Sequence, residues 1–155
     1  MPMPKSVTKV SSKGDVTFVS NVDRCQYTIK ELSRAALKDV AKYIRKLMIL
    51  EMKKLPGMKK HIRPYRAVNY WVRKKESDLQ IGFGHTKKGT SGDTWYAMQQ
   101  ELGTDGQPKR SIMRNTVYNN IPKIIEIQAQ YLSALENEAK ALAMIDELEG
   151  VEDNE

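Results

Sequence analysis

The sequence predicts an α+β fold: a small antiparallel sheet packed with a long helix in the N-terminal half and a long C-terminal helix. Three observations predict it. Apolar residues recur with a period near 3.6 over about 27 residues after Thr28. Two short runs, Val68-Tyr70-Val72 and Leu79-Ile81-Phe83, alternate with a period of two across a turn at Glu76-Ser77. A second helical stripe, Ile121, Ile125, Ala129, Leu132, Leu135, Ala139 and Leu142, runs toward the chain end.

Each element has its local signals. Residues 1–14 carry prolines, Ser/Thr and a Lys-Gly, which reads as a flexible arm. Val16–Ser20 is β-branched and aromatic, a short strand. Thr28 and Glu31 have capping-box spacing, which predicts the first helix from Thr28 to the Pro56-Gly57 stop, roughly 40 Å long. Its stripe is Leu32, Ala36, Val40, Ile44, Leu47, Met48 and Leu55, and the Met48/Met52/Met58 spacing suits a pliable core. After the hairpin, 82–93 is a polar, glycine-rich loop, and Trp95–Leu102 is expected as a third strand, with or without a bulge. Ser111 is placed to cap a short helical turn through Val117 and Tyr118, and Asn120-Pro122 breaks it. The last helix is expected to reach about Leu148. The domain plan is an arm over 1–14, one α+β domain over 15–148 and an acidic tail over 149–155.

Charge is split along the chain. The net charge of +7 combines 25 Lys/Arg against 10 Asp/Glu in residues 1–125 with one Lys against nine acids in 126–155. A basic body with an acidic end suggests self-association, one copy's tail against another copy's body. The basic stretch holds Lys53, Lys54, Lys59, Lys60, Arg63, Arg66, Arg73, Lys74 and Lys75 with no acid, and interleaves Tyr65, Tyr70 and Trp71. Such a pattern suits phosphates and stacked bases, or simply a solvated face with strand aromatics in the core, or a contact with an acidic segment. Seven phosphate contacts would give a log K against log salt slope of about −6.

Other chemistry is poorly supported. Gly84 and Gly89 have phosphate-loop spacing, but Thr90 stands where that loop needs Lys, and Lys87 stands where a dinucleotide fingerprint needs its third Gly. The loop, with Lys87 and Lys88, reads as a connector or assembly loop. His61 and His85 form no ligand pair, and the single cysteine, Cys25, adds no thiolate cluster and forms no intrachain disulfide. No cofactor, no metal and no enzymatic activity are expected. The start MPMPKSVTKV lacks the apolar core of a signal peptide, and no run approaches the roughly 20 apolar residues of a membrane span.

The stretch Trp95–Arg114, WYAMQQELGTDGQPKRSIMR, resembles the signature of the tail-completion, or head–tail joining, family of tailed bacteriophages. In that family an aromatic-rich strand, here led by Trp95 and Tyr96, ends in Glu-aromatic-Gly-Thr, followed by a Pro-containing turn and a helix. Glu101, Gly103 and Thr104 match the first part; Gln107, Pro108, Arg110 and Arg114 match the turn. Leu55-Pro56-Gly57-Met58 stands where the family usually has a Pro-Val-Asp-Thr-Gly-like segment, and Ser111–Asn115 where it often has Pro-Phe-Leu-Arg-Pro. The resemblance spans roughly residues 32–127.

It implies a structural virion protein at the head–tail junction, assembled in the host bacterial cytoplasm. There it forms a ring, commonly sixfold, around the DNA channel. The implied partners are further copies of itself, adjacent neck and tail-tube proteins, and genomic DNA passing without sequence preference; no membrane is implied. The charge split would supply the two unlike surfaces of a ring contact: the acidic Asp146, Glu147 and Glu149, and the basic 53–75 stretch. Glu101 could pair with Arg110 or Arg114. Deleting 143–155 is then expected to weaken assembly. The alternatives are a tail terminator capping the tail tube and a small basic nucleic-acid-binding protein.

Overall fold

The computed structural model describes residues 7–10, 17–55, 63–73, 77–84, 91–137 and 140–145, with side chains from Val19 onward. The fold is α+β. Strands β1 (Val7–Val10) and β2 (Thr17–Ser20) precede α1 (Val22–Lys53) and a 3₁₀ turn (Pro64–Ala67). Then come β3 (Val68–Arg73), β4 (Asp78–Phe83), α2 (Ser91–Leu102), α3 (Ile112–Asn119), α4 (Ile121–Ser133) and a second 3₁₀ turn (Ala134–Glu136). β1 pairs with β2 and β3 with β4, each pair antiparallel. Among the described residues no helix is long and apolar enough to cross a membrane. Where the sequence suggests one domain, contacts group the chain into two compact units, Met1–Ala36 with Ala129–Glu155, and Leu37–Gln128.

In the first unit, residues 7–10 of the expected flexible arm form a strand, with Val7 opposite Ser20 and Val10 opposite Thr17. α1 begins six residues earlier than its capping box suggests. Asp23 lies in the first turn, where a carboxylate suits the helix dipole. Thr28 is inside the helix, and its hydroxyl donates back to the Arg24 carbonyl at 3.0 Å. Glu31 pairs forward with Arg34 at 3.3 Å. The unit buries Leu32, Ala35, Ala36, Tyr131, Ala134, Ala141 and Ile145. The last helix is not continuous to Leu148. Asn137 takes an extended conformation, and its carbonyl and side-chain oxygen accept from the Ala141 and Lys140 amides, so it restarts the helix at residues 140–145.

The second unit holds the larger core. α1 contributes Val40, Ile44, Met48 and Met52, the 3₁₀ turn and β3 contribute Ala67 and Val68, α2 gives Ala97, and α3 gives Ile112. Leu79, Ile81 and Phe83 of β4 and Ile124 and Ile127 of α4 pack on this cluster. The hairpin forms as expected, and its register sets Val68 opposite Phe83, Tyr70 opposite Ile81 and Val72 opposite Leu79. Alternation then turns Trp71 to the outer face, its ring against Gly82 and Gly84. Arg45 ties α1 to β3, its Nε donating to the Val68 carbonyl at 3.0 Å.

Two expectations are corrected here. Trp95–Leu102 is helical, part of α2, whose buried residues Asp93, Ala97 and Gln100 follow helical spacing. The Asp93 carboxylate, buried in the first turn, accepts the Arg63 amide at 2.6 Å, and α2 packs against the 3₁₀ turn. The second correction concerns α4. Ile121, Ile125, Leu132 and Leu135, expected as a core stripe, are exposed, because Ile124 and Ile127 turn to the core instead. The break at Asn120 is as expected. Asn120 joins α3 to α4, donating to the Thr116 carbonyl at 2.8 Å and accepting from the Tyr43 hydroxyl at 3.0 Å.

Candidate functional site

Residues 100–114 of the Trp95–Arg114 motif form one corner, where α2 turns into α3. α2 is closed by Gly103, whose amide donates to the Gln99 carbonyl at 2.8 Å with φ of 80°. That is the left-handed C-terminal cap glycine favours. Thr104 and Gln107 exchange backbone hydrogen bonds at 2.9 and 3.1 Å, closing a tight turn over Asp105-Gly106. Gln100, buried on α2, donates from Nε2 to Gln107 Oε1 at 2.9 Å, and its carbonyl accepts the Arg110 amide at 3.0 Å. Pro108 follows the turn, fixing its own φ where the chain doubles back past Gly103.

Glu101 completes the corner. Its Oε2 accepts the Met113 amide at 2.9 Å and its Oε1 the Arg114 amide at 3.3 Å. A carboxylate from α2 therefore caps the N-terminus of α3, meeting both its unpaired amides and its dipole. Ser111, expected as the cap, sits at φ 48° and makes no capping bond through its side chain. The carboxylate reaches the backbone of Arg114 instead of pairing with its guanidinium, which lies over the Tyr118 ring at 5.5 Å. We expect Glu101→Ala to destabilise the second unit by about 1–2 kcal/mol, with Glu101→Gln losing less because its amide oxygen still accepts one bond. Urea unfolding of both variants measures this.

The basic stretch is divided among three places. Lys53 ends α1 and Lys54 follows it, Arg63 and Arg66 flank or lie in the 3₁₀ turn, and Arg73 ends β3. Lys53 stands over the Tyr65 ring at 5.3 Å, so the first two groups are neighbours. Lys54 bonds Glu51 at 2.5 Å. Arg73, beside Asp78 at 4.0 Å, lies about 16 Å of strand beyond Val68. Within this stretch Arg73 therefore stands at the far end of β3 from the 3₁₀ turn. Lys59, Lys60, Lys74, Lys75, Lys87, Lys88 and the acidic Asp146, Glu147 and Glu149 lie outside the described residues, as do His61, His85 and the Pro56-Gly57 stop.

Two cavities accompany these features. In the second unit a polar cleft of about 480 Å³ is lined by Glu51, Lys54, Arg110, Asn115 and Asn119 among others. In the first, an apolar groove of about 270 Å³ runs along Arg24, Cys25, Thr28 and Ile29 to Leu135. No group of three His, Cys, Asp or Glu among the described residues is placed to hold a metal ion.

Comparison of the chain with protein-family models, with curated proteins and with solved structures finds no match.

The sequence signature and the corner overlap residue by residue at Glu101, Gly103, Thr104 and Gln107. The signature's leading strand is here a helix, so Trp95 and Tyr96 belong to α2, with Trp95 exposed. Sequence reasoning missed Asp93 and Gln100, polar residues that occupy buried helix positions. Their i, i+7 spacing around Ala97 was the available signal, hidden because hydropathy does not mark buried polar groups. It also missed Asn120, whose Asn-x-Pro context gave the break but not the bond to Tyr43.

Proposed function

We propose that this chain is a structural virion protein of the phage neck or tail, a tail-completion or head–tail joining protein that rings the DNA channel at the head–tail junction. One observation carries the reading. The residues that resemble the family signature form a hydrogen-bonded corner whose product is structural. It fixes α2 to α3 and leaves the Trp95 side of α2 outward. A corner that spends its carboxylate on a helix cap positions a surface; it does not present a reacting group.

The partners follow from charge and shape. Copies of the chain meet in a ring through unlike surfaces, and neighbouring neck and tail-tube proteins stack above and below. The basic residues near the end of α1 serve non-specific contact with DNA or with an acidic neighbour. Incomplete particles test the reading. Particles made without this protein should accumulate as separate heads and tails, and adding the purified chain should join them. Heads and tails that join equally well in its absence would overturn it.

The acidic end has its own test. Ile145 is buried, so the cut belongs after it, where residues 146–155 carry six acids and no base. This truncation should keep the fold and slow joining about tenfold at low salt, the loss shrinking as salt rises. Joining that is unchanged at every salt concentration would remove the acidic end from assembly.

A further inference from the structure

We infer that the outer face of α2 is a docking surface for a second copy of this chain, which meets it with the face formed by the end of α3 and the start of α4. The inference rests on the self-assembling reading above and adds the surfaces that it uses.

Trp95, Met98 and Leu102 stand at i, i+3 and i+7, one face of α2. Trp95 is 62% exposed, Leu102 64% and Met98 about half. The helix carries no Lys, Arg or His. Of its two acids, Asp93 is buried against the Arg63 amide and Glu101 is committed to capping α3. In a chain with 29% charged residues, this face is apolar and uncharged. The Gly103 corner and the 3₁₀ turn hold it fixed, so little ordering cost remains on binding.

A second exposed apolar group lies in the same compact unit. Ile121 and Ile125, 40% and 58% exposed, stand one turn apart on α4, and Tyr118, 60% exposed, lies near the end of α3 just before the Asn120 junction. Lys123 and Glu126 of α4 pair with each other at 2.7 Å, and this face carries a cation, the Arg114 guanidinium, 5.5 Å over the Tyr118 ring.

Areas decide the occupant. With an aromatic side chain covering roughly 150–250 Å², each face presents on the order of 300 Å² of apolar surface, the scale at which an exposed patch marks a contact. Joining one face to the other removes on the order of 600 Å². At the usual apolar share of just over half, this corresponds to about 1,000 Å² in all, where specific interfaces begin. Like-on-like pairing of α2 would leave the Tyr118–Ile125 face bare on every copy. Pairing unlike faces covers both on every copy with one kind of contact, and such a contact propagates from copy to copy.

Cross-linking tests it in the full chain, with Cys25→Ser in the background because Cys25 is exposed. Trp95→Cys and Ile125→Cys are made singly and together, their folding checked by circular dichroism. A short bis-maleimide should link the two single variants when they are mixed, at least tenfold more than either alone. The double variant should give a ladder of oligomers. Cross-linking of like with like, equal linking in all mixtures, or no linking at millimolar protein would overturn the inference. Joining of heads to tails is scored separately with unsubstituted protein. Joining without the expected cross-links sinks only these surfaces, whereas failure to join sinks the neck reading and leaves the cross-link pattern to stand by itself.

Discussion

Gly103→Ala should destabilise the second unit by about 3 kcal/mol, the sum of a left-handed conformation that costs an L-residue about 1–2 kcal/mol and a steric clash of similar size. Gly103 sits at φ of 80°. A Cβ added there would lie 2.9 Å from the Lys109 amide nitrogen and 3.1 Å from its Cα, both backbone atoms. Backbone cannot swing aside as a side-chain end can. The Lys109 segment is held on either side, by the Gln107–Thr104 bonds and by the Arg110 amide on Gln100. Relief of the clash therefore opens the corner, and the Glu101 cap on α3 goes with it. Gly106→Ala is the control. It lies in the same turn, and an added Cβ would meet nothing within 4 Å. It should be neutral, or stabilising by up to about 1 kcal/mol through the unfolded chain. Urea midpoints of the two variants should therefore move in clearly different degree. Equal shifts would mean that the corner is not the constraint described.

Met48→Ala should cost about 2–5 kcal/mol, the range for large-to-small changes in a packed core. Met48 is fully buried on α1 between Ile44 and Met52, which are buried as completely, and it belongs to the same core cluster as Ala67, Val68 and Ala97. With so many neighbours drawn from separate elements, the cavity cannot close by moving one of them. Met48→Leu keeps most of the volume and should cost less than about 1.5 kcal/mol. Leu50→Ala, two residues away on the exposed side of the same helix, should stay within about 0.5 kcal/mol. Denaturant titration followed by circular dichroism gives all three. A loss at Leu50 as large as that at Met48 would show that the helix is packed on its other face.

For the proposed neck role these predictions bear on assembly, because the outer face of α2 is only as well placed as the corner beneath it. Under that proposal, a Gly103 variant that still folds should join heads to tails less well than its stability alone explains. A Met48→Leu variant should join normally.

The sequence by itself determined the elements whose signals are local. The hairpin was legible because Val68, Tyr70 and Val72 must share one face of a pleated strand, and Leu79, Ile81 and Phe83 another. The stripe of α1 from Leu32 to Met48 was legible for the same reason at the helical period, and the Asn120-Pro122 break because proline tolerates few places in a helix. The charge split was legible from composition.

Tertiary structure alone decided the rest. Trp95 and Tyr96 favour a strand, yet the segment is a helix, because α2 packs on the 3₁₀ turn while Asp93 accepts the Arg63 amide and Gln100 bonds Gln107. α4 carries apolar residues on two faces at helical spacing. Which face is buried depends on where the cluster around Ile44 and Met48 lies, and Ile124 and Ile127 meet it while Ile121 and Ile125 do not. Glu101 offered a charge that any nearby arginine could have taken, and the fold placed the open end of α3 in front of it instead. Period and propensity are properties of a segment, whereas the choice of face and of hydrogen-bond partner depends on residues distant in the chain.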